Sequence, residues 1–472
     1  VEAYTRSVRF ERNEESALRV AGLVVIATTI VFVGALAYWQ AFRDDLNVNP
    51  YNPRLAAALS EPHRGRILDR DGEVLAQSLP DGRRVYRTAA AVHVVGYLSA
   101  RYGAQGAELA FNDELLGRRG GDWLAALRSE VIRGTPRGFD VRLTIDVDVQ
   151  MAAALALGNR PGAAVAIDVR TGDVLAMVSW PNWDPNAFAT EAPTLLADPR
   201  APLLNRAAQG LYPPGSTFKV VTAAAALSEG LVTPETLVTC NEAYVIGGYA
   251  VSCGNVPQGP GTYPFRDAFA YSVNAVFARL GVELGWQPLL RMARAFGFES
   301  PIPFDLPTAA SQVVAGDAPL SDTLLASTAF GQGDLLVTPL QMALVAATVA
   351  NGGVLVEPRL LAGVYDGDRE MEGPPPIRTR RVLDGHVAAE LRDMMVDVVA
   401  KGQANMGPLA VPAAGKTGTA ETGRGTAHAW FIGFAPADDP KVAVAVVVED
   451  GGRGGEVAAP VAGAILKAAL AP

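Results

Sequence analysis

The stretch Tyr212-Pro213-Pro214-Gly215-Ser216-Thr217-Phe218-Lys219-Val220-Val221-Thr222-Ala223-Ala224-Ala225-Ala226-Leu227 sets a serine and a lysine three residues apart, where a broken chain gives way to an apolar run. The prolines and glycine resist regular continuation, and the run from Val220 to Leu227 predicts a buried helix with Ser216 at its N-terminus. Positions three apart share a helix face, so the Lys219 amine is expected to approach the Ser216 hydroxyl. A lysine inside an apolar helix loses the hydration of its charge, which lowers its pKa and lets the amine act as a base. The helix N-terminus favours negative charge beside Ser216. The plainer reading, an N-cap serine followed by a surface lysine, conflicts with a helix that shows no exposed face.

Lysine is scarce in this chain. Five lysines (Lys219, Lys401, Lys416, Lys441 and Lys467) stand against 35 arginines. A lysine amine can lose its proton in a buried site and a guanidinium cannot, so each lysine draws attention. With 472 residues, 49% hydrophobic and 19% charged, the chain can bury one large core and a smaller one. The net charge of -9 argues against a general nucleic-acid binder, which needs a basic face.

Upstream, Val20 to Trp39 carries no charged side chain and is long enough to cross a bilayer core of roughly 30 Å. Arg6, Arg9, Arg12 and Arg19 precede it, which predicts residues 1–19 in the cytoplasm, a transmembrane helix over 20–39 and the remainder outside. A cleaved signal peptide is the competing reading, but the run is long for one, ends in Tyr38-Trp39 and lacks a small-residue cleavage site. Cys240 and Cys253 fall on the outer side, where an oxidising compartment permits them to pair; the sequence leaves the bond open. His63, His93, His386 and His428 form no ligand-like cluster, and no metal site is expected.

Residues 40–138 have the character of a small α+β pedestal. Arg64-Gly65-Arg66-Ile67-Leu68-Asp69-Arg70-Asp71-Gly72-Glu73-Val74-Leu75-Ala76 predicts a hairpin turning at Asp71-Gly72, and a short helix containing Glu108 is expected to end at Gly117. A second domain, 139–472, opens with a strand at Val141 to Ile145 and a helix capped by Asp146. Hairpins are predicted for Ala163–Ile167 with Val174–Val178 and for Ala429–Phe434 with Val442–Val448, with mostly helical chain between them. Strands at both ends and helices inserted between them predict an α/β sandwich, an antiparallel sheet flanked by helices.

Two further motifs could carry chemistry. Ser272-Val273-Asn274 lies in the apolar helical stretch Phe269 to Leu280, where a hydroxyl and a carboxamide could enter one cleft; by itself it reads better as a helix cap. Lys416-Thr417-Gly418-Thr419 lies on or beside a strand. There a glycine permits close approach of another backbone, here a substrate's, while the lysine and hydroxyls could hold a carboxylate.

Together and in this order, Ser-x-x-Lys, Ser-x-Asn and Lys-Thr-Gly resemble the active-site motifs of the penicillin-binding proteins and serine β-lactamases. The single anchor, Arg64 to Gly72, Leu143-Thr144-Ile145-Asp146, Gly331-Gln332-Gly333 and Lys416 to Glu421 are similar to the class B, monofunctional penicillin-binding proteins of a compact-pedestal type. Val273 replaces a cysteine frequent in relatives, with both polar members of that motif kept.

The resemblance implies a peptidoglycan D,D-transpeptidase without metal or organic cofactor. Ser216 would form an acyl-enzyme with a stem peptide, or with a β-lactam, after giving its proton to Lys219. Ser272 and Lys416 would deliver a proton to the leaving amine. Asn274, Thr417, Gly418 and Thr419 would bind substrate, and the backbone N–H groups of Ser216 and Thr419 would form the oxyanion hole. It also implies a polytopic SEDS-family glycosyltransferase as membrane partner. The rivals are a membrane-bound β-lactamase or β-lactam sensor, and a structural activator of a glycan polymerase. Elongation or septation, the acceptor amine and the oligomeric state are not legible.

Overall fold

The computed structural model describes residues 19–36, 38, 64–117, 137–254, 256, 259–316, 321–423 and 425–471. Arg6, Arg9, Arg12, Trp39, the chain from 40 to 63, and Arg424 lie outside the described residues. The N-terminal segment belongs to one compact unit, and residues 64–99 and 104–471 to a second.

In the first unit, Arg19–Leu36 is a helix of mean hydropathy 2.2 with none of its surface buried. Its two hydroxyls are turned onto its own backbone. Thr28 donates to Val24 O at 2.8 Å and Thr29 to Val25 O at 2.7 Å, so both hydroxyls are satisfied within the helix. The helix is long and apolar enough to cross a membrane.

The second unit is built on a five-stranded antiparallel sheet, in the order Ala414–Ala420, His428–Ala435, Val442–Val448, Gly162–Asp168, Val174–Trp180. Both predicted hairpins are present, and the chain between them is largely helical. Val442–Val448 (VAVAVVV) is buried at every position because both faces of the sheet are covered. Ala443, Ala445 and Val447 enter one core with Trp430 and Phe218; Val442, Val444, Val446 and Val448 enter another with Ile465 and Leu466 of helix Gly454–Ala469. The period of two divides one strand between two cores, each buried valine contributing about 1.5–3 kcal/mol.

A six-stranded sheet forms the other part of this unit, in the order Arg369–Glu372, Leu361–Asp366, Asp140–Leu143, Ile67–Leu68, Val74–Ser78, Arg84–Tyr86. The Asp71-Gly72 hairpin turns where expected. Asp69 Oδ1 accepts from the N–H groups of Asp71 and Glu73 at 2.9 and 2.7 Å, and Gly72 takes φ +93°. Two helical turns, Ala107–Ala110 and Asn112–Leu115, precede Gly117. Asp140–Leu143 pairs in parallel with Ile67–Leu68 and antiparallel with Leu361–Asp366, so this sheet draws strands from both sides of residue 138. Asp146 caps helix Val147–Leu157, accepting from Asp148 and Val149 N–H. Glu108 is fully buried between two arginines: Arg64 Nε and Arg84 Nε each donate to it at 2.7 Å.

Candidate active site

The serine-lysine segment is held through its backbone by hydrogen bonds on three sides. Tyr212 forms an antiparallel bridge with Val337, its N–H donating to Val337 O at 3.0 Å and its carbonyl accepting from Val337 N–H at 2.8 Å. Trp430 Nε1 donates to Pro213 O at 2.9 Å. Gly215 takes φ +54° and donates to Gly331 O at 2.9 Å; a side chain at Gly331 would overlap the Gly215 carbonyl. That overlap explains the first glycine of Gly331-Gln332-Gly333.

The expected helix starts later than Ser216. Gly215–Phe218 is a tighter 3-10 turn, and the α-helix runs Lys219–Ser228 with every residue from Lys219 to Leu227 buried. Ser216 is half-buried and lines the cavity described below. The Lys219 amine makes its hydrogen bonds across the fold: to Ser272 O at 2.7 Å, Ser272 Oγ at 3.0 Å and Asn274 Oδ1 at 2.6 Å. Burial holds its pKa well below the ordinary lysine value, and the neighbouring Lys416 charge lowers it further.

Ser272 and Val273 fall between two helices, Phe265–Ala270 and Asn274–Leu284, with Val273 at the N-cap and Asn274 opening the second helix. Ser272 has φ +61°, a conformation unusual for a residue with a Cβ. This break exposes both the Ser272 carbonyl and its hydroxyl to Lys219. The cost of the strained dihedral, on the order of 1–3 kcal/mol, is set against two hydrogen bonds to a buried amine.

Lys416 lies on Ala414–Ala420, the terminal strand of the large sheet. It is fully buried, donates to Thr417 O at 3.1 Å, and stands 5.9 Å from the Phe269 ring centroid. Burial lowers its pKa to about 7. Gly418 is closely approached within the fold itself. A Cβ there would stand 2.8 Å from Pro214 O and 3.0 Å from Thr217 Cγ2, so the backbone admitted so closely is the serine turn itself. Thr417 is half-buried, and Thr419 is exposed.

A cavity of about 630 Å³ joins these parts, lined by Ser216, Asn274 and Thr419 and by Tyr249–Ser252, Gln332 and Glu421 among others. Sequence reasoning had not placed the Tyr249–Ser252 segment, Thr323, Ser327 or Glu421 at the site. Only tertiary packing brings them there. Cys240 and Cys253 form a disulfide at the base of the hairpin that carries Tyr249.

A half-buried serine on a tight turn, two buried lysines and an edge strand on an antiparallel sheet define a serine acyltransferase of the penicillin-interacting fold. The chain belongs to the penicillin-binding proteins, in their class B branch: residues 162–467 match the penicillin binding protein transpeptidase domain, and 64–141 match the penicillin binding protein A dimerisation domain. It is 38% identical to the peptidoglycan D,D-transpeptidase PbpA of Mycolicibacterium smegmatis, over 96% of this chain and 98% of that one. It is 36% identical to the peptidoglycan D,D-transpeptidase PbpA of Mycobacterium tuberculosis, over 96% of this chain and 99% of that one. Among solved structures it resembles penicillin-binding protein A from M. tuberculosis as an imipenem acyl-enzyme, with a TM-score of 0.80, 37% identity and coverage of 88% of this chain and 100% of that one. The penicillin G acyl-enzyme of the same protein gives 0.79 and 36%, over 87% and 100%.

Proposed function

We propose that this protein is a peptidoglycan D,D-transpeptidase in which Ser216 attacks the D-Ala-D-Ala amide of a stem peptide, expels the terminal D-Ala and carries the acyl group to an amine of a neighbouring stem. The observation that carries the reading is the Lys219 amine. It is fully buried, poorly able to hold a proton, and fixed 2.6 to 3.0 Å from Ser272 and Asn274 beside the cavity that Ser216 lines. Such an amine is a base, and its placement one short turn after Ser216 lets it take the hydroxyl proton as the attack proceeds.

Ser272 and Lys416 pass a proton to the leaving amine. Asn274 holds the donor amide, while Thr417, Gly418 and Thr419 take its strand and its terminal carboxylate. The N–H groups of Ser216 and Thr419 form the oxyanion hole, where loss of a donor costs about 10²- to 10³-fold in rate. β-Lactams enter the same route and acylate Ser216.

Helix Arg19–Leu36 supports a single-pass anchor, with the N-terminus cytoplasmic and the catalytic domain, 139–472, outside on its 40–138 pedestal. A polytopic SEDS-family glycosyltransferase is the partner this arrangement suits, tested by co-purification of the full-length chain from membranes. The acyl-enzyme reading is tested with a fluorescent penicillin. Stable labelling that Ser216→Ala abolishes is expected; release within seconds would favour a β-lactamase. Retention of the cellular role by Ser216→Ala would favour a scaffold.

A further inference from the structure

The cavity beside Ser216 is bordered by two strand edges. One belongs to Ala414–Ala420, the terminal strand of the large sheet, through Thr419; the other to Tyr249–Val251, which pairs with Tyr244–Ile246 in a two-stranded hairpin. The turn of that hairpin rests on helix Asp322–Ala329: Gly247, at φ +56°, packs so closely on Thr323 that a side chain there would overlap its hydroxyl. Ala250, Val251 and Ser252 thus form a wall with Thr323 and Ser327, apart from the lysines. Hydroxyls and strand backbone make this wall polar and able to pair with an extended peptide.

Among the described residues lining the cavity, Glu421 is the one carboxylate. It follows Thr419 by two positions, just beyond the end of that strand, and lines the same cavity. A carboxylate there repels the anionic end of the donor peptide and attracts a cation. The second substrate of the transfer is an amine that arrives as an ammonium ion.

Resting on the transpeptidase reading above, we propose that the Tyr249–Ser252 edge, Thr323, Ser327 and Glu421 form the acceptor subsite, which binds an extended stem peptide whose ammonium group is drawn to Glu421. Once there, the ammonium gives one proton to water and attacks the acyl-Ser216 carbonyl carbon as a neutral amine. The C–N bond forms as the C–Oγ bond breaks, and the second N–H proton passes to Ser216 Oγ. Specificity for the acceptor therefore draws on the hairpin wall, which the donor does not use, together with Glu421 just past the donor strand.

The test uses the full-length protein in detergent, a thioester analogue of the donor and D-alaninamide as a cationic acceptor. Glu421→Gln is expected to raise the half-saturating D-alaninamide concentration about tenfold, the loss of a charge-assisted hydrogen bond, and Glu421→Arg to raise it further. Hydrolysis of the acyl-enzyme then outcompetes transfer, while the rate of labelling by fluorescent penicillin, which needs no acceptor, does not fall below the wild-type value. An unchanged acceptor titration in both variants overturns the proposal. So does a labelling rate that falls in step with transfer, because Glu421 would then act on acylation. Wild-type protein that neither labels nor transfers removes the transpeptidase reading itself, an outcome distinct from either.

Discussion

Gly418 and Pro214 pass so closely that a methyl group on the Gly418 Cα would stand 2.8 Å from the Pro214 carbonyl oxygen. The same methyl would meet Thr217 Cγ2 and Trp430 Cβ at 3.0 Å each. None of these atoms is the free end of a flexible chain. Gly418→Ala is therefore expected to push the edge strand away from the nucleophile turn, with about 1–3 kcal/mol of destabilisation. A misplacement of this kind typically lowers the reaction about 10²-fold. Penicillin labelling kinetics beside a thermal melt check this: a large rate loss with a small fall in Tm is the expected pattern.

Lys219→Arg puts a permanent cation in place of the proposed base. A guanidinium stays charged in this site, and its planar fork does not match one amine bonded to Ser272 O, Ser272 Oγ and Asn274 Oδ1. The acylation rate is expected to fall by about 10²- to 10⁴-fold, the usual range for a lost general base. Stopped-flow acylation with a chromogenic cephalosporin measures it, and near-wild-type acylation would sink the assigned role.

The two lysines also predict a pH dependence of stability. Lys416 has a pKa of about 7 in the folded protein, against 10.5 for an ordinary lysine. Between these values the unfolded chain binds the proton and the folded chain does not, so unfolding takes up protons. Stability from this group is full above 10.5 and is eroded as pH falls to about 7, below which both states are protonated. Lys219 acts in the same direction. Melting temperature is expected to gain more between neutral and alkaline pH in the wild type than in Lys416→Met, as scanning calorimetry across that window would show.

In the smaller sheet, Glu108 lies fully buried between Arg64 and Arg84. Its carboxylate is held below the usual range by the two guanidiniums, despite the opposing effect of burial. Glu108→Ala leaves both arginines without their counter-charge, at a cost of about 3–5 kcal/mol. Chemical denaturation is expected to show that loss. The variant should still label with penicillin at low temperature, since the triad lies outside the cavity.

Much of the fold was legible because its strands announce themselves. Gly162–Asp168, Val174–Trp180 and Val442–Val448 are β-branched or small apolar runs bounded by turn residues, and their hairpins fell where composition put them. Asp146 and Gly72 were equally plain, each with a local mechanism. Ser272 was not. Its left-handed backbone leaves no mark in an apolar stretch, because a tertiary hydrogen bond to Lys219 and not local propensity accompanies it. The strand order was hidden too, since Asp140–Leu143 finds its partners at Ile67–Leu68 and Leu361–Asp366, far away in sequence.

By itself the sequence determined which chemical groups are present and in what order: a serine followed by a lysine, a serine beside an asparagine, and a lysine on a glycine-bearing strand. Tertiary structure alone decided what those groups can do. It directed the Lys219 amine to Ser272 and Asn274, set a second lysine near enough to lower its pKa, and closed a cavity with Tyr249–Ser252 and Glu421. The reason is physical. Side-chain identity is written residue by residue, whereas desolvation and the proximity of charges depend on distances between segments that sequence separation does not encode.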